Sequence, residues 1–110
     1  MALQTAKPPA NIYTGNGQLS VAVPLPGAHR DHVRVVIKPG ELRVDADCKY
    51  PQSAQHYMLH EWQVGSWELD LDLPQRVDPA RARATLNYGV LVVMAPLAES
   101  AEGEAEPAVE

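Results

Sequence analysis

The stretch Ala84-Thr85-Leu86-Asn87-Tyr88-Gly89-Val90-Leu91-Val92-Val93-Met94-Ala95-Pro96 decides the fold. Ala82, Ala84 and Leu86 alternate with polar neighbours, the period of a strand with one buried face. Asn87-Tyr88-Gly89 is reversal chemistry. Gly89 can take the positive φ that a tight turn needs, so that Val90 pairs back on the preceding strand. Val90 to Val93 is apolar on both faces, which predicts a strand in the interior of a sheet.

Working outward, period two recurs. Leu19, Val21, Val23 and Leu25 alternate along one strand, with Pro24 near its end marking an edge or a bend. Val33, Val35 and Ile37 form the next, and Leu42, Val44, Ala46 and Cys48 the one after. Trp67, Leu69, Leu71 and Leu73 alternate strictly with Glu68, Asp70 and Asp72, the pattern of a half-buried strand with a wet face. Gly15-Asn16-Gly17, Pro26-Gly27 and Pro39-Gly40 separate the runs. Helical signals are confined to Asp78-Pro79-Ala80-Arg81, one short turn with Asp78 as N-cap and Pro79 at the first position. The pattern predicts an all-β, immunoglobulin-like antiparallel sandwich of seven or eight strands.

The chain has 110 residues, enough for one domain. Five of its fourteen acids lie in residues 99–110, and the other nine are matched by all nine Lys and Arg. The net charge of −5 therefore belongs to the C-terminal end. Residues 12–97 are expected to form the sandwich, 1–11 a short flexible arm and 98–110 a disordered acidic tail. No basic stripe for nucleic acid and no polybasic membrane anchor is present. No run approaches the roughly 18 apolar residues that span a bilayer. The opening residues lack a secretory apolar core, and the single Cys48 cannot form an intrachain disulfide. The expectation is a protein of a reducing compartment, the cytoplasm.

The pieces resemble a known family. Ala84 to Pro96 is similar to the A-x-x-x-x-G-V-L-x-x-x-x-P signature of the small heat-shock proteins, which carry an α-crystallin domain. Leu25-Pro26-Gly27, Gly40-Glu41-Leu42-Arg43-Val44, Glu61 with Gly65-Ser66-Trp67, and Leu73-Pro74 with Val77-Asp78-Pro79 resemble further family segments, in the family's order. The resemblance covers residues 12–96. It implies an ATP-independent chaperone, a holdase, which binds exposed apolar segments of non-native polypeptides and uses no cofactor. It also implies a client groove between the edges of two strands in one sheet, lined here by Val35, Ile37, Ala82 and Ala84. Each apolar side chain seated in such a slot gains about 1.5–3 kcal/mol if fully buried. The competing reading of these four residues is ordinary core.

Four departures bear on assembly. Residues 97–110 contain no I/V-x-I/V docking triplet, only Val109. The N-terminal arm is short. The loop matching the family's exchanged strand, about Cys48 to Gln55, spans at most about 29 Å when extended. The family's arginines are replaced by Leu69 and Asp72. A homodimer is expected through a shortened exchange or along another edge, where Ile12 and Tyr13 offer a strand. Mixed oligomers with longer relatives are a further expectation. The missing triplet also suits a different class, a CS-domain-like co-chaperone or adaptor that binds one defined partner.

No catalytic constellation emerges. His29 and His32 lie in a loop, and His56 and His60 on a strand would stand roughly 13 Å apart, too far for one metal ion. Gly15-Asn16-Gly17 precedes no helix, so it is not a phosphate loop. Asp70 and Asp72 sit on a solvated face. Cys48 reads as a small core residue, with an intermolecular disulfide or redox role as the alternative. Trp62 and Trp67 read as core or interface anchors. Neither an enzyme nor a metal site is expected.

Overall fold

A computed structural model describes residues 4–47, 56–61 and 65–110. Cys48, Trp62 and the expected loop Cys48–Gln55 lie outside the described residues. Among the described residues, eight strands form two four-stranded sheets. In chain order they are β1 (Gln4–Ala6), β2 (Asn11–Gly15), β3 (Gln18–Pro24), β4 (Val33–Lys38), β5 (Glu41–Asp47), β6 (Gly65–Asp72), β7 (Arg83–Asn87) and β8 (Val90–Pro96). One sheet has the order β1-β6-β5-β4 and the other β2-β3-β8-β7. All pairings are antiparallel except the short β1–β6 pair, which is parallel.

The two sheets share one core because each presents its period-two apolar set inward. Leu19, Val21 and Val23 of β3 and Leu91, Val93 and Ala95 of β8 face Val35 and Ile37 of β4, Leu42 and Val44 of β5, and Leu69 of β6 within a single buried cluster. β8 lies between β3 and β7, as its two-faced apolar run requires, and Val92 and Met94 on its outer face are half-buried. Glu68, Asp70 and Asp72 alternate outward on β6. The reversal at Asn87–Gly89 holds Tyr88 at φ +54° and Gly89 at φ +78°. Leu25 N–H then donates to the Gly89 carbonyl at 2.7 Å and closes the ladder.

Pro24 does not mark an edge strand, because β3 is interior. The β2 partner has already ended opposite Ala22, so the donor that Pro24 lacks faces no strand. The 3-10 turn Pro79–Arg81 forms as its cap chemistry predicts, with the Asp78 carboxylate accepting from Ala80 N–H at 3.1 Å.

Both chain ends do more than their composition suggests. Residues 4–6, inside the stretch expected as an arm, pair with Gly65–Trp67 along the free side of β6. The chain then crosses to the other sheet, burying Pro8 on the way, and enters β2. The C-terminal residues cross on the opposite side.

Candidate functional site: the seam between β4 and β7

β4 ends one sheet and β7 ends the other. Their unpaired sides therefore run beside each other along one flank of the sandwich, and a strand edge left open there presents backbone donors and acceptors. Val35 and Ile37 are buried on β4 and Ala84 is buried on β7. Ala82 is half-buried and immediately precedes β7. The structure thus gathers all four expected groove residues on one flank, with one correction. The two walls belong to different sheets, not to two strands of one sheet, because β4 and β7 never pair and the core lies between them.

The chain's own residues 105–110 lie in this seam. The tail is fastened at its base. Leu97 N–H donates to the Gly17 carbonyl at 2.9 Å and Ala98 N–H to the Arg76 carbonyl at 3.0 Å. Arg76 Nη2 donates to the Ala101 carbonyl at 2.9 Å. Gly103 then turns the chain at φ +89°, a value that a residue with a Cβ adopts only under strain. Beyond it Ala105 bonds Ile37 twice, N–H to carbonyl in each direction at 2.9 Å, as an antiparallel bridge. Four residues later Val109 bridges Ala84 in parallel. Glu110 N–H donates to the Ala84 carbonyl at 3.0 Å and Leu86 N–H to the Glu110 carbonyl at 2.8 Å. One short segment thereby satisfies edge groups of both sheets.

Side chains of the segment follow the same period. Ala105, Pro107 and Val109 are half-buried, while Glu104, Glu106, Ala108 and Glu110 are exposed. Ala105 and Val109 pack on the core cluster. The occupants are small, and an open cleft of about 400 Å³ remains beside Ala82, Ala84, Pro107 and Ala108.

The outward face of β4 supplies cations to the outward face of the tail. Arg34 Nε donates to Glu106 Oε1 at 2.8 Å and Nη2 to Oε2 at 3.3 Å, a bidentate pair. Lys38 Nζ stands 4.0 Å from Glu104 Oε2. The hydrogen bond from Arg34, with its positive charge, holds the Glu106 carboxyl below the usual glutamate value against a smaller opposing effect of desolvation. A carboxylate whose value is depressed on docking contributes fully above the ordinary range, about 4.3, and loses its contribution as the pH falls through the lowered value. Asp45 and Glu104 also face Arg34 and are the other acids in this field. The Glu106 side-chain carboxyl should therefore titrate below a glutamate in a model peptide, with the Ile37 amide resonance moving at the same midpoint. An NMR pH titration reads both, and separate midpoints would uncouple the ion pair from docking.

The sequence reading missed this segment because it searched for a triplet of large aliphatics. The available signal was the alternation of Glu104, Glu106 and Ala108 with Ala105, Pro107 and Val109, a strand pattern drawn in small residues. The other expected edge, at Ile12 and Tyr13, lies on β2. β2 ends its sheet, every residue in it is exposed, and Ile12 and Tyr13 are 37% and 53% accessible.

On the outer face of the β4-containing sheet, Arg43 makes two hydrogen bonds of 3.1 Å to Asp45 and approaches Glu68 and Asp70 at 3.8 and 4.0 Å. Leu69, where the resemblance leads one to expect an arginine, points into the core.

Comparison with known proteins agrees with this geometry. A model described as the Hsp20/alpha crystallin family matches residues 11–110. Heat shock protein 16 of Schizosaccharomyces pombe is 24% identical over 106 residues, covering 93% of this chain and 74% of the relative. Among solved structures, heat shock protein 16.0 from S. pombe superposes with a TM-score of 0.75 at 23% identity, over 90% of this chain and 71% of that one. The hspA protein of Xanthomonas axonopodis superposes with a TM-score of 0.76 at 22% identity, over 91% of this chain and 100% of that one. At such identities the structural likeness speaks to the fold alone.

Proposed function

This chain belongs to the Hsp20/alpha crystallin family, and from that premise we propose that it is an ATP-independent holdase whose client groove is the β4–β7 seam. The family is of chaperone type and generally non-enzymatic. The observation that carries the finer reading is the mode in which the seam holds residues 105–110. An extended segment is bonded through its backbone to both sheets while Ala105 and Val109 pack against the core cluster. Backbone pairing is indifferent to sequence, and apolar slots select only for alternating small or aliphatic residues. That combination suits unfolding polypeptides of many sequences better than one defined partner. The missing docking triplet suits an adaptor, but the family match favours the chaperone reading.

We place the dimer contact at the exposed edge of β2, through Ile12 and Tyr13. The cytoplasm is the proposed compartment, consistent with a single cysteine. Among the described residues no helix is long and apolar enough to cross a membrane. The test is direct. The purified chain, without nucleotide, should suppress light scattering from a heated or reduced model client. Scattering that proceeds unchanged at several-fold molar excess of the chain refutes the holdase reading.

A further inference from the structure

We propose that the depression where the turn Pro79–Arg81 enters β7 is a binding site for a phosphate monoester, held between the guanidinium groups of Arg81 and Arg83. The ligand is a tetrahedral dianion that carries a small organic group. The site lies on the outward side of β7 and β8 and is independent of the chaperone reading.

Three observations carry it. First, the depression has a volume of about 500 Å³, and its walls include Arg81, Arg83, Gln18, Met94 and Pro96. Second, the backbone sends both arginines to one side. Ala82 between them is extended, at φ −72° and ψ 148°, and packs on the core cluster. Side chains two apart on an extended chain share a face, with Cα atoms about 6.5 Å apart. Arg83 pairs in register with Met94, and Gln18 with Pro96, so the other walls stand on the same face. The base of Arg81 is fixed, because Asp78 caps the turn and Ala82 N–H donates to the Pro79 carbonyl at 3.1 Å. Third, both guanidinium groups are unpaired. Among the described residues neither makes an ion pair or a side-chain hydrogen bond. By contrast Arg34, Lys38 and Arg43 each meet a carboxylate, and Arg76 holds a carbonyl. The chain has fourteen acids for nine bases, yet no acid lines the depression. Glu110 shares the adjoining cleft with Arg83 and does not pair with it. Two adjacent unpaired cations repel, and a dianion between them relieves that repulsion. Each guanidinium is a planar fork that matches two oxygens. One carboxylate fills one fork, whereas a phosphate monoester offers three oxygens and nearly two charges and spans both. Its organic group then lies toward half-buried Met94 and Pro96, and a thioether favours an aromatic ring.

The experiment titrates the isotope-labelled full chain with phenyl phosphate and follows the backbone amides of Gln18, Arg81, Arg83 and Met94, with Leu69 in β6 as an internal reference. The four amides should shift saturably with one common midpoint while Leu69 stays in place. Affinity should rise several-fold between about pH 5 and about pH 7.5, as the ligand loses its second proton near pH 6 while both arginines stay charged. Arg81→Gln and Arg83→Gln should each weaken binding about tenfold. Both side chains are exposed, so neither change should move the urea midpoint. Arg83→Lys, which keeps the charge and loses the fork, should fall between wild type and Arg83→Gln. Benzoate, a monoanion on the same ring, should bind several-fold more weakly than phenyl phosphate, and so should inorganic phosphate, which lacks the ring. The absence of a saturable shift at the four amides, or affinity unmoved by either glutamine variant, would overturn the site. Benzoate binding as tightly as phenyl phosphate would overturn the dianion. Inorganic phosphate binding as tightly would overturn the monoester.

Discussion

Leu91→Ala is expected to lower the unfolding free energy by about 2–5 kcal/mol, the range for a leucine removed from a site that cannot collapse. Leu91 is fully buried in β8, with Val23 of β3 and Leu86 of β7 as its neighbours across the two ladders. A cavity there opens inside the core that the two sheets share. Small domains carry about 5–15 kcal/mol of stability, so this single change removes a large share. The matched control is Val92→Ala, one residue along and on the half-buried outer face. It should cost about 1 kcal/mol, because its side chain gives up less buried area. Urea denaturation measures both. The Leu91→Ala midpoint should fall with the slope unchanged. Equal losses for the two variants would mean that β8 does not present alternating faces to core and solvent.

Ala84→Ile separates a groove from a mere core position. Ala84 is buried at the edge of β7, and Val109 of the tail is its bridge partner alongside. In a closed core, added methylenes have nowhere to go and cost about 1–3 kcal/mol through strain. In a slot they occupy the place of the guest. The expected result is a near-normal urea midpoint with faster exchange of the Glu110 amide and a several-fold loss of client suppression. A drop in stability of about 1–3 kcal/mol with client suppression retained per folded molecule would assign Ala84 to packing alone.

These outcomes bear on how the two sheet edges are managed. An open edge is an aggregation liability, and proteins cover it, charge it or shorten it. Here the flanks are treated differently. The β1–β2 crossing closes one side and leaves β2 as an exposed edge, whereas the tail spans β4 and β7 on the other. The covering of β4 and β7 is made of small residues and surface charges, the kind of contact that salt screens.

Much of the fold was legible in the chain itself. Strict alternation in Trp67–Leu73, the two-faced run Val90–Val93 and the reversal at Asn87–Gly89 each constrain one strand and its immediate neighbour. Those are local facts, and side-chain period and turn geometry are local physics. The position of Pro24 shows the limit. Its missing donor suggested an edge or a bend there; β3 is interior as a strand, but β2 reaches only Ala22, and where that neighbour stops is not written around Pro24.

The four residues expected to line a groove could likewise be read one by one as inward-facing apolar positions, but not their arrangement. Sequence alone determined that Val35, Ile37 and Ala84 face inward and that residues 99–110 are acidic and small. Only the tertiary structure decided that β4 and β7 end different sheets on one flank, and that the tail bridges them with its acids on Arg34 and Lys38. The physical reason is that a tail of alanine, proline and glutamate has too little apolar area to order itself. Its conformation is set by the unpaired backbone of two distant strands, which no local pattern in the tail encodes.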